Sequence, residues 1–222
     1  VVDITQSLMI RFFLLYPILC PSPSDVVAVM LEEAAKPIPV KTAADLAATL
    51  STLAAPEDSS LTAYTAANSD KPYVDPDFPA TNASLADAVD KDTLSRVRWK
   101  RLTELCSSEE LAVFAAPLDA SDMMQGSLGD CYLLASVAAL SQRAPQRMIQ
   151  VFVTRQVNRV GMFTVQLYVG LQATRITIDD MVPCVKDGST WRPLFARSRS
   201  PTEMYVTKSV ISLITIFCNH AM

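Results

Sequence analysis

The stretch of this chain richest in reactive residue types is "QGSLGDCYLLA", in which Cys131 follows two glycines and an aspartate. An apolar run with helical spacing begins at Cys131, which predicts that its thiol lies on the first turn of a helix. Free backbone N–H groups and the positive end of the helix dipole favour a thiolate there, and the thiolate is the form that attacks carbonyl carbon. The pattern suits a nucleophile, but a buried structural cysteine after a turn has the same pattern, and the pattern alone favours that second interpretation.

The residues just before Cys131 suit acyl transfer. The side-chain amide of Gln125 and the backbone N–H of Cys131 could both donate to a developing oxyanion. Gly126 and Gly129 leave space for a substrate backbone, and Gly129 can adopt a backbone conformation that other residues resist. We therefore expect Gln125 to form an oxyanion hole beside Cys131.

The elements that must position this stretch follow it in the chain. The helix that starts at Cys131 is expected to stop near residues 141–145. Residues 161–170 and Thr174–Val182 alternate apolar and polar positions, which predicts two strands joined as a hairpin. Asp179 and Asp180 could form a catalytic carboxylate pair or a metal site, but their place before Pro183 favours turn and capping roles.

The region before residue 71 has a different composition, rich in Ala, Leu, Thr and Pro. Helical patterns cover Asp25–Ala35 and Ala43–Ala55, and Thr42 is a suitable N-cap for the second. A linker is expected near Ala67–Pro72. Residues 1–70 are therefore predicted to form an N-terminal extension that is partly helical or disordered.

Composition and charge exclude several classes of function. Half of the residues are apolar, the net charge is −4, and no Lys/Arg-rich stripe occurs, so no nucleic-acid partner is expected. The five cysteines are scattered and contain no C-x-x-C pair, which argues against a disulfide framework and a zinc site. That cysteine usage suits a reducing compartment, so an intracellular, cytoplasmic location is predicted.

An apolar run near the start of the sequence raises the alternative of membrane association. Leu8–Cys20 is shorter than the roughly 20 residues of a spanning helix, and Arg11 and Pro17 interrupt it. A buried segment or a misassigned gene start is favoured over targeting, because Asp3 lies upstream and no clear cleavage site follows.

Several blocks together resemble one known family. Residues 125–135 resemble the active-site signature "QGxLGDCWLLA" of the calpain family of cysteine proteases, with Tyr132 in place of the usual Trp. The resemblance runs from about Pro72 to Glu203. Five further blocks carry it: "DPDFPA" (Asp75–Ala80), "WKRLTEL" (Trp99–Leu105), Gly161–Val165, "ITIDDMVP" (Ile176–Pro183) and "FARSRSPTE" (Phe195–Glu203).

This resemblance implies a fold and an activity. The fold would be α+β, the cysteine-bearing and largely helical first lobe of a papain-like calpain core with a β-hairpin, behind a helical N-terminal extension. Residues 71–208 would be that partial catalytic domain, and residues 209–222 a divergent tail. The activity would be that of a calcium-dependent-type cysteine endopeptidase acting on polypeptides, with Cys131 as nucleophile and Gln125 in the oxyanion hole.

The resemblance also implies a calcium ion. Asp122 and Glu203 match carboxylates that help to bind Ca²⁺ in the first lobe of classical members. Carboxylate oxygens suit Ca²⁺, but two side chains fall short of the roughly six to eight oxygen ligands it takes. Backbone carbonyls near Ala115–Pro117 or water would have to supply the rest.

The histidine and asparagine of the family lie in a second lobe whose motifs this sequence lacks. The single histidine, His220, is not expected to act as base, since the adjacent Asn219 cannot readily orient its ring. After about Lys208 the resemblance ends. An incomplete fragment that is inactive alone is therefore expected. The alternative is a catalytically inactive calpain-like regulatory or scaffold protein that binds a protein partner.

Overall fold

Helices and short antiparallel sheets make up the described part of the chain, as expected for an α+β protein. A computed structural model describes residues 39–85, 89–106, 110–118, 123–126, 131–169, 172–199 and 203–204, with backbone alone for 131–133 and 168–169. The predicted helix at Asp25–Ala35, the apolar run before it and the tail lie outside the described residues. Within the described residues, no helix is both long and apolar enough to cross a bilayer.

Helix α1 (Ala43–Thr52) confirms the predicted helix and its N-cap. The Thr42 hydroxyl accepts from the Asp45 N–H at 3.1 Å, and the Asp45 carboxylate accepts from the Thr42 N–H at 2.9 Å. This reciprocal capping box satisfies two N–H groups that the first turn would leave without partners. The helix ends before the predicted Ala55, because the backbone turns extended at Leu53.

Helix α2 (Ser59–Asn68) was not predicted and occupies most of the segment between the expected helix and linker. It has no buried residue, so its sequence lacks the apolar stripe by which helices are recognised. Asp58 caps it and also accepts hydrogen bonds from the hydroxyls of Thr154 and Thr164. Residues 39–68 are therefore joined to later parts of the chain by polar contacts as well as by buried Val40 and Leu46.

Strand β1 (Arg98–Arg101) lies between the short helices α3 (Lys91–Arg96) and α4 (Leu102–Leu105). It pairs antiparallel with a later strand that begins at Met181, and Arg101 lies opposite Met181. Before α3, a 3₁₀ turn covers Asn82–Leu85.

Helices α5 (Cys131–Arg143) and α6 (Pro145–Val151) follow strand β2 (Met123–Met124). The predicted helix at Cys131 is confirmed, and it stops where expected because Pro145 begins the next helix. Both helices pack on a core whose fully buried side chains include Met148, Ile149 and Phe152.

Strands β3 (Phe163–Val169) and β4 (Gln172–Ile178) confirm the predicted hairpin, with Phe163 opposite Ile178. The predicted continuation of the second strand to Val182 is wrong. The strand ends at Ile178, and a new strand, β5 (Met181–Asp187), joins a different sheet. The change of sheet occurs at Asp179 and Asp180, whose carboxylates are hydrogen-bonded and ion-paired to other segments.

Strand β5 is the central strand of the three-stranded sheet, in the order β1, β5, β6 (Thr190–Pro193). The last strand, β7 (Arg197–Ser198), pairs with β2. Strands β5, β6 and β7 thus follow one another along residues 181–198. The last of them, β7, pairs with the strand that directly precedes Gln125.

Candidate active site

Helix α5, which begins at Cys131, packs against the core through one buried face. Cys131 is the first residue of α5, so the free N–H groups of the first turn surround its backbone. Leu134, Val137 and Ser141 follow at helical spacing and are 8 %, 6 % and 0 % exposed. This buried stripe fixes the helix against the core. The position of Cys131 at a helix start therefore agrees with the prediction from the sequence.

Gln125 directly follows β2 and is exposed. Strand β2 is anchored by β7, with Met123 opposite Ser198 and Met124 opposite Arg197. Met124 is one of the exposed large hydrophobic side chains, with 38 % of its surface accessible. The amide of Gln125 is therefore open to a molecule arriving from solvent. Residues 127–130, between Gln125 and Cys131, lie outside the described residues.

Gly126 has a structural role that differs from the expected one. A Cβ atom at this position would lie 2.0 Å from the Leu194 carbonyl oxygen and 2.5 Å from the Phe195 carbonyl carbon. Only glycine lets the two backbones approach so closely. Gly126 thus makes room for the chain's own backbone rather than for a substrate, and it sets the position of Gln125. Gly129 lies outside the described residues.

Glu203 holds the β2–β7 ladder to the preceding loop. It is 5 % exposed. One carboxylate oxygen accepts from the Ala115 N–H and the other from the Ser198 hydroxyl, both at 2.5 Å. Ser198 lies opposite Met123 of β2. Through its hydrogen bond with Ser198, Glu203 therefore stabilises the strand that directly precedes Gln125. Sequence reasoning missed Ser198, because no neighbouring residue indicates that its hydroxyl contacts Glu203.

Only part of the expected calcium site lies among the described residues. Ala115 does lie beside Glu203, as expected, but it contributes an N–H group, and both carboxylate oxygens of Glu203 already accept hydrogen bonds. Asp122 lies outside the described residues. Among the residues that are described, no group of three acidic, histidine or cysteine side chains could hold a metal. No step of the chemistry below depends on a metal.

Two other thiols are poor nucleophiles. Burial raises the pKa of Cys184 to about 12. Burial, with a smaller contribution from Glu110, also raises the pKa of Cys106. Both thiols are free of disulfides and stay protonated at neutral pH. Neither competes with Cys131 as the reactive thiol.

The buried carboxylates at residues 179–180 join segments, in agreement with the predicted turn role. Asp179 accepts from the Met181 N–H at 2.9 Å and from the Asp75 N–H at 3.0 Å. Asp180 forms an ion pair with Arg101. Desolvation raises the pKa of Asp75, while the N–H groups of its own turn and the charge of Asp179 act in opposite directions. These groups hold the three-stranded sheet to the segment that precedes it.

Comparison with known proteins gives one family. Residues 73–209, more than half of the chain, match the sequence model of the calpain family of cysteine proteases. The chain is 30 % identical over 148 residues to calpain-type cysteine protease ADL1 of Oryza sativa subsp. japonica, which covers 64 % of this chain and 7 % of that protein. The chain is 32 % identical over 148 residues to calpain-type cysteine protease DEK1 of Arabidopsis thaliana, and these residues are again 64 % of this chain and 7 % of that protein.

A shorter relative gives the same picture. The calpain-2 catalytic subunit of Rattus norvegicus is 32 % identical over 138 residues, which are 60 % of this chain and 19 % of that protein. The chain therefore spans less than a fifth of the length of these curated relatives. The matched part includes β2, the start of α5 and Glu203.

Proposed function

Because the chain belongs to the calpain family of cysteine proteases, we propose that it carries the nucleophile-bearing part of a cysteine endopeptidase site. In the proposed reaction the Cys131 thiolate attacks the carbonyl carbon of a peptide bond. The Gln125 amide and the Cys131 backbone N–H donate to the resulting oxyanion. The observation that carries the proposal is the position of Cys131 at the first residue of α5, six residues after exposed Gln125, which directly follows β2.

The support for these roles is chemical. A helix N-terminus favours a thiolate over a thiol, and an oxyanion donor is most effective when a rigid element holds it. Gly126 against residues 194–195 and Glu203 on Ser198 provide that rigidity for the segment around Gln125. We further propose that these residues belong to the first lobe of a papain-like core, located in the cytoplasm.

The reaction also needs a base that accepts the proton of the thiol and returns it to the leaving amine. The described residues include no histidine, and the single histidine of the sequence, His220, lies outside them. A test of Cys131 and Gln125 should therefore use a reagent whose leaving group needs no proton. A p-nitrophenyl ester meets this condition, since nitrophenolate leaves as an anion.

The experiment measures acylation of the full chain by such an ester, with the acyl group located by peptide mass spectrometry. The Cys131 thiolate forms a thioester and releases one nitrophenolate. Cys131→Ala should abolish the fast phase, and Gln125→Ala should slow it by about 10²-fold, as loss of an oxyanion donor does. Alkylation of Cys131 by iodoacetamide, which develops no oxyanion, should be equally fast in the Gln125→Ala chain. Equal acylation rates for that variant and the parent would remove Gln125 from the site.

The second candidate, a catalytically inactive regulatory or scaffold protein, is favoured by the same lack of histidine among the described residues. It predicts acylation of Cys131 no faster than that of a free cysteine. The ester experiment therefore separates the two candidates. Calcium binding by Asp122 and Glu203 stays a separate prediction, tested by calorimetric titration of the full chain with Ca²⁺.

A further inference from the structure

A cleft of about 450 Å³ beside the three-stranded sheet gathers four basic side chains. Arg96 comes from the end of α3, Arg98 from the start of β1, Lys186 from β5 and Arg192 from β6. Trp191 and the hydroxyl residues Thr93 and Ser95 also line it, and none of the described residues in its lining is a carboxylate. Gln125 is not among the residues that line it.

The arginines from the first edge of the cleft have hydrogen-bonding capacity left. Arg96 donates from Nε to the Asp92 carbonyl at 3.2 Å. Arg98 donates from Nη1 to the carbonyls of Ser95 and Val97, at 3.3 and 2.7 Å. A guanidinium carries five N–H groups, so these contacts leave donors on both side chains. The Arg98 contacts also give hydrogen-bond donors to carbonyl oxygens at the end of α3, whose partial negative charge would otherwise repel an anion.

Arg192 is the most informative of the four. Its Nε atom is buried and makes no hydrogen bond within the described residues. The Asp187 carboxylate lies 3.3 Å from it, yet the contact lacks hydrogen-bond geometry, and the two side chains are 41 % and 65 % exposed. An ion pair this exposed contributes little. Four of the residues that line the cleft are cationic and none of the described ones is acidic, so the lining carries positive charge in a chain whose net charge is −4.

We propose that this cleft binds the phosphate group of a phosphorylated ligand. Guanidinium groups match phosphate oxygens in charge and geometry. The volume is within the range of small-ligand sites, and a compact, multiply charged anion can reach several of the cations at once. Two sources share this chemistry: a soluble phosphate compound and a phosphoinositide headgroup.

The test uses the full chain and two probes. Inorganic pyrophosphate is titrated by calorimetry, and phosphatidylcholine vesicles with and without phosphatidylinositol 4,5-bisphosphate are tested by co-sedimentation. The cleft variant is Lys186→Gln with Arg192→Gln. The matched control, Lys41→Gln with Arg147→Gln, removes the same charge from exposed positions outside the cleft lining. Thermal unfolding of both variants checks that they are folded, and the single variant Lys186→Gln changes only an exposed side chain.

The parent chain is expected to bind at least one probe. The cleft variant should bind it about tenfold more weakly or worse, as expected for the loss of charge-assisted hydrogen bonds, and the control within about twofold of the parent. Binding of pyrophosphate alone assigns a soluble ligand. Binding that requires the phosphoinositide assigns a lipid headgroup. Failure of the parent to bind either probe, or equal losses in the two variants, would overturn the proposal.

Discussion

Removal of the Glu203 carboxylate should destabilise the whole segment that positions Gln125. In Glu203→Ala, the Ala115 N–H and the Ser198 hydroxyl lose their acceptor inside a site where Glu203 is 5 % exposed. A buried donor left without a partner costs about 1–3 kcal/mol. Two such donors lower the free energy of unfolding by roughly 2–6 kcal/mol. Glu203→Gln retains one acceptor oxygen and should lose about 1–2 kcal/mol.

The assay is urea unfolding followed by circular dichroism, in chelator and again with Ca²⁺. Glu57→Ala is the matched control, since Glu57 is exposed, and it should change stability by no more than about 0.5 kcal/mol. The loss in Glu203→Ala should appear in chelator, because the hydrogen bonds need no metal. A Glu203→Ala chain as stable as Glu57→Ala in chelator would refute this reasoning. A loss seen only with Ca²⁺ would identify Glu203 as a calcium ligand.

Three further predictions concern the contacts around the site. Gly161→Ala should lower stability by about 3 kcal/mol or more, and Gly188→Ala by only about 1–2 kcal/mol. Both glycines have positive φ, but only at Gly161 would an added Cβ atom meet a carboxylate, 2.5 Å from Asp180 Oδ1. Equal losses in thermal unfolding would contradict this close approach. Asp58→Ala should lose about 1–3 kcal/mol in urea unfolding, since it caps α2 and accepts from two threonine hydroxyls; no loss would mean that α2 is not joined to the fold. Burial raises the pKa of Asp75 above its ordinary value of 3.8, so this group stabilises the fold at lower pH, and the contribution is lost as the pH rises through the folded pKa. The stability of Asp75→Asn relative to the parent should therefore increase between about pH 3 and pH 7, and a pH-independent difference would contradict it.

Local signals in the sequence predicted the elements that carry the candidate site. The Thr42 cap, the apolar spacing after Cys131 and the alternation in the hairpin each depend on neighbouring residues, and the structure has all three elements. Helix α2 was missed because its sequence has no apolar stripe, and its contacts are made by Asp58 with residues about a hundred positions later.

Features that depend on distant backbone contacts could not be predicted. The strand after Ile178 changes sheet because Asp179 bonds to Asp75 and Asp180 pairs with Arg101, far apart in sequence. Gly126 was assigned to substrate access because nothing local reveals the approach of residues 194–195. The four basic residues of the cleft form no run in the sequence and come together only through the pairing of β1, β5 and β6.

The identity of the nucleophile is the central claim, and the pH dependence of alkylation tests it most directly. The folded chain is treated with iodoacetamide across a pH series, and each cysteine is quantified by peptide mass spectrometry. Cys131 should react at pH 7 about tenfold faster than a free cysteine, which is only a few per cent thiolate there. Cys106 and Cys184 should react at pH 7 more slowly than a free cysteine, because burial raises the pKa of both thiols. A Cys131 rate that rises only near the ordinary thiol pKa of about 8.5 would contradict the assignment of Cys131 as an activated nucleophile.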